Sequence, residues 1–271
     1  MLNVSSKPAK KPLTPALSSN AAISALPWGV PSAGILLLLC FILLPIIAQI
    51  IITSIPSLLG WDSGRAGQWA AHSTLANFLY VLLAESLTTG LLAWFIVRRH
   101  KTSFLKAVGL RRPQWMDVGY GLVGAAAYVL LFLVTVAGVS ALLPLDTGKE
   151  QALGFDKNIG GISLFLAFVS LVILPPIVEE MVFRGFFYGT LRARNIRVWV
   201  SVLVTSLVFG SLHLFGAGDG SLLWIAFVDT FVLSVVLCSI REYTGSIWST
   251  MLIHSLKNGF VFLNLFILHA R

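Results

Sequence analysis

"SLFLAFVSLVILPPIVEEMVFRG", residues 163–185, runs from an uncharged apolar stretch straight into two prolines, two adjacent glutamates and an arginine. A helix needs about 20 predominantly apolar residues to cross a bilayer, and this stretch falls within a span expected over 161–191. An ionisable side chain at the centre of such a helix costs about 2.5–3.5 kcal/mol on insertion scales, so its presence points to function. Pro175 and Pro176 cannot donate to the carbonyls of Leu171 and Val172, so the helix is expected to kink or restart there. Proline suits the first turn of a new helix. Glu179 and Glu180 then fall near a fresh N-terminus, where free N–H groups favour carboxylates. A break at membrane depth is tolerated only where it faces protein or water. Glu180 and Arg184 stand one turn apart and can pair. Glu179, rotated by about 100°, is left as a candidate general base.

The rest of the chain agrees with a membrane setting. Of its 271 residues 57% are hydrophobic and 11% charged, against about 25% charged in soluble domains. Mean hydropathy is +0.88. Cys40 and Cys238 both lie in apolar runs, so neither a disulfide framework nor a CxxC metal site can be built from them. The net charge of +8 is carried by connections between apolar segments, which reports orientation rather than nucleic-acid binding. Residues 1–28, rich in Pro, Ser, Ala and Lys, read as a disordered basic tail. A cleaved signal peptide is disfavoured because the next apolar run is too long for an h-region.

The expected fold is all-α: a polytopic bundle of about seven transmembrane helices forming a single domain over 29–271. The spans are expected near 30–54, 74–97, 117–143, 161–191, 199–215, 222–240 and 246–268, the fourth kinked at Pro175–Pro176 and the fifth short. No internal repeat is evident. Lys7, Lys10 and Lys11 precede the first span; Arg98, Arg99, Lys101, Lys106, Arg111 and Arg112 follow the second; Arg192, Arg194 and Arg197 follow the fourth. The alternate connections are neutral or slightly acidic. The positive-inside rule then predicts a cytoplasmic N-terminus.

Further ionisable or polar residues lie within the spans: Glu85, His213, Asp229, His254 and Lys257. For Glu85 and Asp229 the plain reading is neutralisation inside the bundle, with Lys257 available to either. His213 is different. If spans four and five form a hairpin turning near 192–198, Glu179 and His213 both lie roughly 20 Å along antiparallel helices from the turn. Gly210 and Ser211 would let those two backbones approach. In the last span His254 and Asn258 share a face, about 12 Å in from the start. A glutamate and two histidines can activate a water molecule, with or without zinc. The asparagine is a donor suited to a developing oxyanion. HExxH, GxSxG, a P-loop and paired CxxC motifs are absent.

"EEMVFR", "FGSLH" and "HSLKN" fit EExxxR, FxxxH and HxxxN in order along apolar segments. In these motifs the chain resembles the CPBP family of intramembrane proteases, which includes type II CAAX prenyl endopeptidases and Abi proteins tied to bacteriocin processing and self-immunity. The resemblance is strong over about 160–262 and slight over 1–110. It implies that Glu179 activates water with His213, that Glu180 and Arg184 shape the site, and that His254 and Asn258 polarise the scissile carbonyl and hold the oxyanion. It also implies a metalloendopeptidase, with Glu179, His213 and His254 as candidate Zn2+ ligands; a metal-free, glutamate-activated water is argued for the family too. The expected partners are peptide or lipid-modified protein substrates and membrane lipids, not nucleic acid. Two other classes stay open at this point. One is a non-proteolytic peptide-binding or immunity protein. The other is a proton-coupled transporter, for which the paired broken helices of repeat-built transporters are lacking.

Overall fold

The computed structural model describes residues 26–149, 151–215 and 220–268, and these form nine helices. Six are long and apolar enough to cross a membrane: α1 (Val30–Leu58), α3 (Thr74–Arg99), α5 (Trp115–Leu142), α6 (Gly161–Ala193), α8 (Trp224–Thr244) and α9 (Trp248–Ile267). Helix α7 (Val198–Leu212) is apolar but has 15 residues, about 22 Å of rise. That is less than the roughly 30 Å of a hydrocarbon core. About seven spans were expected, the fifth of them short; six helices reach spanning length, and α7 is the short one. Two short helices were not expected at all: α2 (Ser63–His72), capped by the Asp62 side chain accepting from the Arg65 N–H, and α4 (Phe104–Val108), ended by Gly109 at φ +75°.

The tail expected over 1–28 lies mostly outside the described residues. Its last member does not behave as tail: Trp28 is buried, and its Nε1 donates to Thr190 Oγ1 at 2.8 Å. A large indole with one polar atom satisfied is core material.

Helix α6 is the axis of the bundle. It packs against α1, α3, α4, α7, α8 and α9, and every residue from Glu180 to Leu191 is buried. A helix buried all round must be apolar or internally paired on every face, which is why the charges of 179–184 can sit there. The chain stays helical through the prolines. Wide π turns at Val169–Ile173 and Met181–Phe187 shift its register on either side of Leu174–Glu180. In an α pattern the Leu171 carbonyl pairs with the N–H of residue 175, and in a π pattern with that of 176. Both are prolines, so neither register can satisfy it.

Close backbone approach holds the second half of the bundle together. A Cβ on Gly121 or Gly124 of α5 would meet Leu252 at 2.6 Å or Ile253 at 2.4 Å on α9, the small-residue contact common between membrane helices. Gly210 also marks a close approach, but to Phe227 of α8 and not to the helix of Glu179. The outward faces carry Ile and Leu, such as Leu122, Leu130 and Leu133 of α5.

The helix ends sort into two faces. Trp28 touches His100 and Phe186, and Arg194 donates to its carbonyl. Trp248 Nε1 donates to Arg111 O at 2.7 Å, and Arg192 pairs with Glu242 at 3.0 Å. One face thus gathers residues 98–114, 192–197 and 241–248. At the other, Asn77 donates to the Gly154 carbonyl and Lys149 meets Ser221, joining the start of α3 to the connections before α6 and α8. Trp94, Trp115 and Trp199 stand exposed near the first face, and Trp224 at the second, as in the aromatic belts of membrane proteins.

Candidate active site

A cavity of about 180 Å3 lies beside the π-turned middle of α6. Its wall is built by Leu171, Pro175 and Glu179 of α6, His213 just past the end of α7, Asp229 and Thr230 of α8, and His254, Lys257 and Asn258 of α9. Glu179, His213, His254 and Asn258 therefore meet as the sequence led us to expect. Helix α7 ends at Leu212, which puts His213 at its C-terminal cap, on the cavity wall.

Glu180 and Arg184 are buried beneath that wall. Arg184 Nη1 donates to Glu180 Oε1 at 2.9 Å, and both side chains are fully buried. The guanidinium also lies 4.4 Å from the centre of the Phe209 ring, a contact that attracts a cation. Glu180 Oε1 takes a second hydrogen bond from His254 Nδ1 at 3.0 Å. An ionised carboxylate only accepts, so His254 carries its proton on Nδ1 and turns Nε2 toward Glu179, 3.8 Å from Oε2. His213 is fixed in the same way. Its Nδ1 faces the Phe209 carbonyl at 3.0 Å, and a carbonyl can only accept, so its Nε2 carries the lone pair.

Glu179 differs from its neighbour in bordering the cavity and in having no hydrogen bond to its carboxylate among the described residues. The buried Oε2 of each glutamate lacks a partner, but Glu180 is held through Oε1. A buried carboxylate oxygen left in that state calls for a water, a proton or a substrate group. Glu85 of α3, which packs against the Glu179 turn of α6, makes no ion pair among the described residues.

Asn258 already holds one partner: its Nδ2 donates to Leu171 O at 2.9 Å, the carbonyl that both prolines leave unsatisfied. The second hydrogen of that amide is free for another acceptor. Lys257 was expected to neutralise either Glu85 or Asp229 within the bundle. Lys257 Nζ pairs with Asp229 Oδ2 at 2.8 Å, while Tyr128 OH donates to Asp229 Oδ1. This settles which acid Lys257 meets and puts an ammonium in the cavity wall. Its position one residue before Asn258 was the available signal. Gln151 and Leu153, which also line the cavity, gave none.

The expected zinc ligands Glu179, His213 and His254 share the cavity and offer chemically suitable donors. Among the described residues, however, no three His, Cys, Asp or Glu side chains are gathered closely enough to hold a metal ion.

Comparison with known proteins completes the picture. Residues 161–260 match the family model described as type II CAAX prenyl endopeptidase, Rce1-like. The match takes in all three motifs and the cavity wall on α6, α7, α8 and α9. An Escherichia coli protein called "Uncharacterized 24.3 kDa protein" is 32% identical over 198 residues, covering 72% of this chain and 79% of its own length. No solved structure matches the chain. With the motifs, the membrane-type bundle and a relative aligned over most of both lengths, the chain belongs to the Rce1-like type II CAAX prenyl endopeptidase (CPBP) family, a membership that implies an intramembrane protease.

Proposed function

We propose that the protein is an intramembrane endopeptidase that hydrolyses peptide bonds of membrane-associated peptides or protein tails with a water activated by Glu179. The observation that carries this reading is the buried, unpartnered Glu179 Oε2 facing His254 Nε2 across 3.8 Å in a cavity shared with His213. A carboxylate so placed is a base with an empty hydrogen-bonding position. Water fits that position because it can donate one hydrogen to Glu179 and the other to His213 Nε2 in the same cavity.

In the proposed step Glu179 takes one proton from water as the oxygen attacks the scissile carbonyl carbon. His213 Nε2 accepts the other hydrogen and orients the molecule. The oxyanion that forms needs donors. In the neutral tautomer described above, His254 Nε2 has none to give, so the free N–H of Asn258 and the Lys257 ammonium take that part. Collapse breaks the C–N bond, and the proton held by Glu179 passes to the leaving amine. The Glu180–Arg184 pair fixes His254 from behind and takes no part in bond making.

The test is cleavage by detergent-purified protein of a pool of internally quenched peptides with apolar C-terminal halves. Glu179→Gln and His213→Ala are each expected to reduce cleavage by about 10²-fold or more while the protein still purifies folded. Full activity in both would sink the reading. A metal-dependent form of it would use Glu179, His213 and His254 as ligands after closure of the site. Metal analysis and assay with and without chelator discriminate: loss on chelation restored by Zn2+ assigns the metal form, and unchanged activity with no bound metal assigns the metal-free form.

A further inference from the structure

The catalytic cavity is off-centre in the bundle. From α6 it takes Leu171, Pro175 and Glu179, which lie on the Gly161 side of the buried Glu180–Arg184 pair. From α8 it takes Ala226, Asp229 and Thr230, close to the start of that helix and far from Arg241 near its end. From α9 it takes residues 254–262, away from Trp248. His213 stands at the end of α7 remote from Arg197. Each helix thus contributes the part nearer the face formed by the connections before α3, α6 and α8.

That face also holds a second, larger hollow of about 540 Å3, within the range of small-ligand sites. It is lined by Ala71 and His72 of α2, the 151–157 segment, and Leu265 and Phe266 of α9. Gln151 and Leu153 line both hollows, so the two adjoin at this segment. The segment is held in place. Asn77 holds the Gly154 carbonyl, and Leu153 and Phe155 pack on a buried cluster containing Phe262 and Phe266. These contacts set the 151–157 segment across the mouth of the cavity.

Among the described residues the opposite face is tightly packed and basic. Arg241 reaches the Arg184 carbonyl at 3.4 Å, Gly185 abuts the backbone of Val108, and Tyr188 donates to Glu242 at 2.8 Å. Arg98, Arg99, Lys101, Lys106, Arg112, Arg194 and Arg197 crowd around this plug, whereas the hollow's face carries Arg65, Lys149 and Lys157 against Asp62, Asp146 and Asp156. A surplus of Lys and Arg in short connections marks the cytoplasmic side.

Building on the protease reading, we propose that the cavity opens away from the cytoplasm, and that its substrates are extended peptide segments presented on the non-cytoplasmic side and threaded past Gln151 and Leu153 through the 151–157 vestibule. An extended segment suits a narrow passage with apolar side walls and a polar rim of His72, Gln151 and Asp156. A chain lying only in the cytoplasm meets the packed, basic face, opposite the hollows.

Single cysteines decide this, since Cys40 and Cys238 are buried and the unsubstituted chain provides the background. Ala152→Cys sits in the vestibule; Lys106→Cys and Arg197→Cys sit on the basic face, and all three positions are exposed. In intact cells a membrane-impermeant maleimide is expected to label Ala152→Cys, and to label the other two only after permeabilisation. In detergent, attaching a bulky maleimide to Ala152→Cys should cause loss of cleavage of the quenched-peptide pool relative to the same variant unlabelled, with no such loss for Lys106→Cys. The reverse labelling pattern overturns the sidedness. Undiminished cleavage by fully labelled Ala152→Cys overturns the route. Failure of the unsubstituted protein to cleave anything rejects the protease reading alone, because the labelling result still reports which side the cavity faces.

Discussion

Glu179 and Glu180 are neighbours in sequence with opposite fates. Glu180 Oε1 accepts from Arg184 and His254 away from the cavity, while Glu179 accepts no hydrogen bond among the described residues and borders the cavity; each keeps a buried Oε2 without a partner. Removing one member of a buried ion pair leaves the other uncompensated, at a cost of about 3–5 kcal/mol. Arg184→Met is therefore expected to lower thermal stability sharply and to reduce yield along with activity, read by a thermal unfolding scan in detergent. Glu179→Gln makes the contrary prediction: activity falls but the unfolding midpoint stays near that of the parent, because no pairing is lost. Equal destabilisation by the two substitutions would show that Glu179 too is structural. The Glu180–Arg184 pairing was legible from its i,i+4 spacing. The orientation of His254 onto Glu180 was not, since nothing in "HSLKN" says which ring nitrogen finds which carboxylate.

Helix α6 owes its shape to Pro175 and Pro176 and its stability to a different helix. The Leu171 carbonyl, which neither helical register can satisfy, is filled by Asn258 of α9. Asn258→Leu leaves a buried acceptor bare, and a loss of about 1–3 kcal/mol in stability is expected, measurable by unfolding of the purified protein even where cleavage is also impaired. An unchanged midpoint would mean that another donor takes the carbonyl. Gly185 gives a second test on the same helix. Its Cβ would meet the Val108 backbone oxygen at 2.6 Å, so Gly185→Ala must push α4 aside and should cost about 1–3 kcal/mol. Between α8 and α9, Asp229 and Lys257 form a pair inside the cavity wall. Asp229→Asn and Lys257→Met are expected to be non-additive, with a coupling of about 0.5–3 kcal/mol in a double-mutant cycle on unfolding. Additive effects would show the pair to be a contact without energetic weight. The existence of these helices was readable from apolar run length. Their partners were not: Gly210 is a close-approach residue, yet the neighbour it admits is Phe227 and not α6.

At the scale of the whole molecule the bundle has one packed, basic face and one face that carries both hollows. The shortness of α7 links that asymmetry to the chemistry. It ends at Leu212, so His213 stands just past the helix and borders the cavity together with Asp229 and Thr230. Extending α7 past His213 by inserting one helical turn after Leu214 should therefore remove activity while leaving insertion intact, checked by cleavage and by membrane fractionation. Continued cleavage would place the working site elsewhere.

Composition, run length and the alternation of basic connections were enough to establish a helical membrane protein. The order of the three short motifs was enough to reveal its kinship. Both follow from local physics: an apolar segment of sufficient length is helical in a bilayer whatever surrounds it, and a buried charge marks a functional stretch wherever it falls. Which nitrogen faces which oxygen, which carbonyl Asn258 rescues, that Trp28 belongs to the core, and that Gln151 borders the site were decided only by tertiary structure. Those facts depend on rotations and offsets between helices, set by side-chain packing among segments more than a hundred residues apart, and no pattern along one helix encodes them.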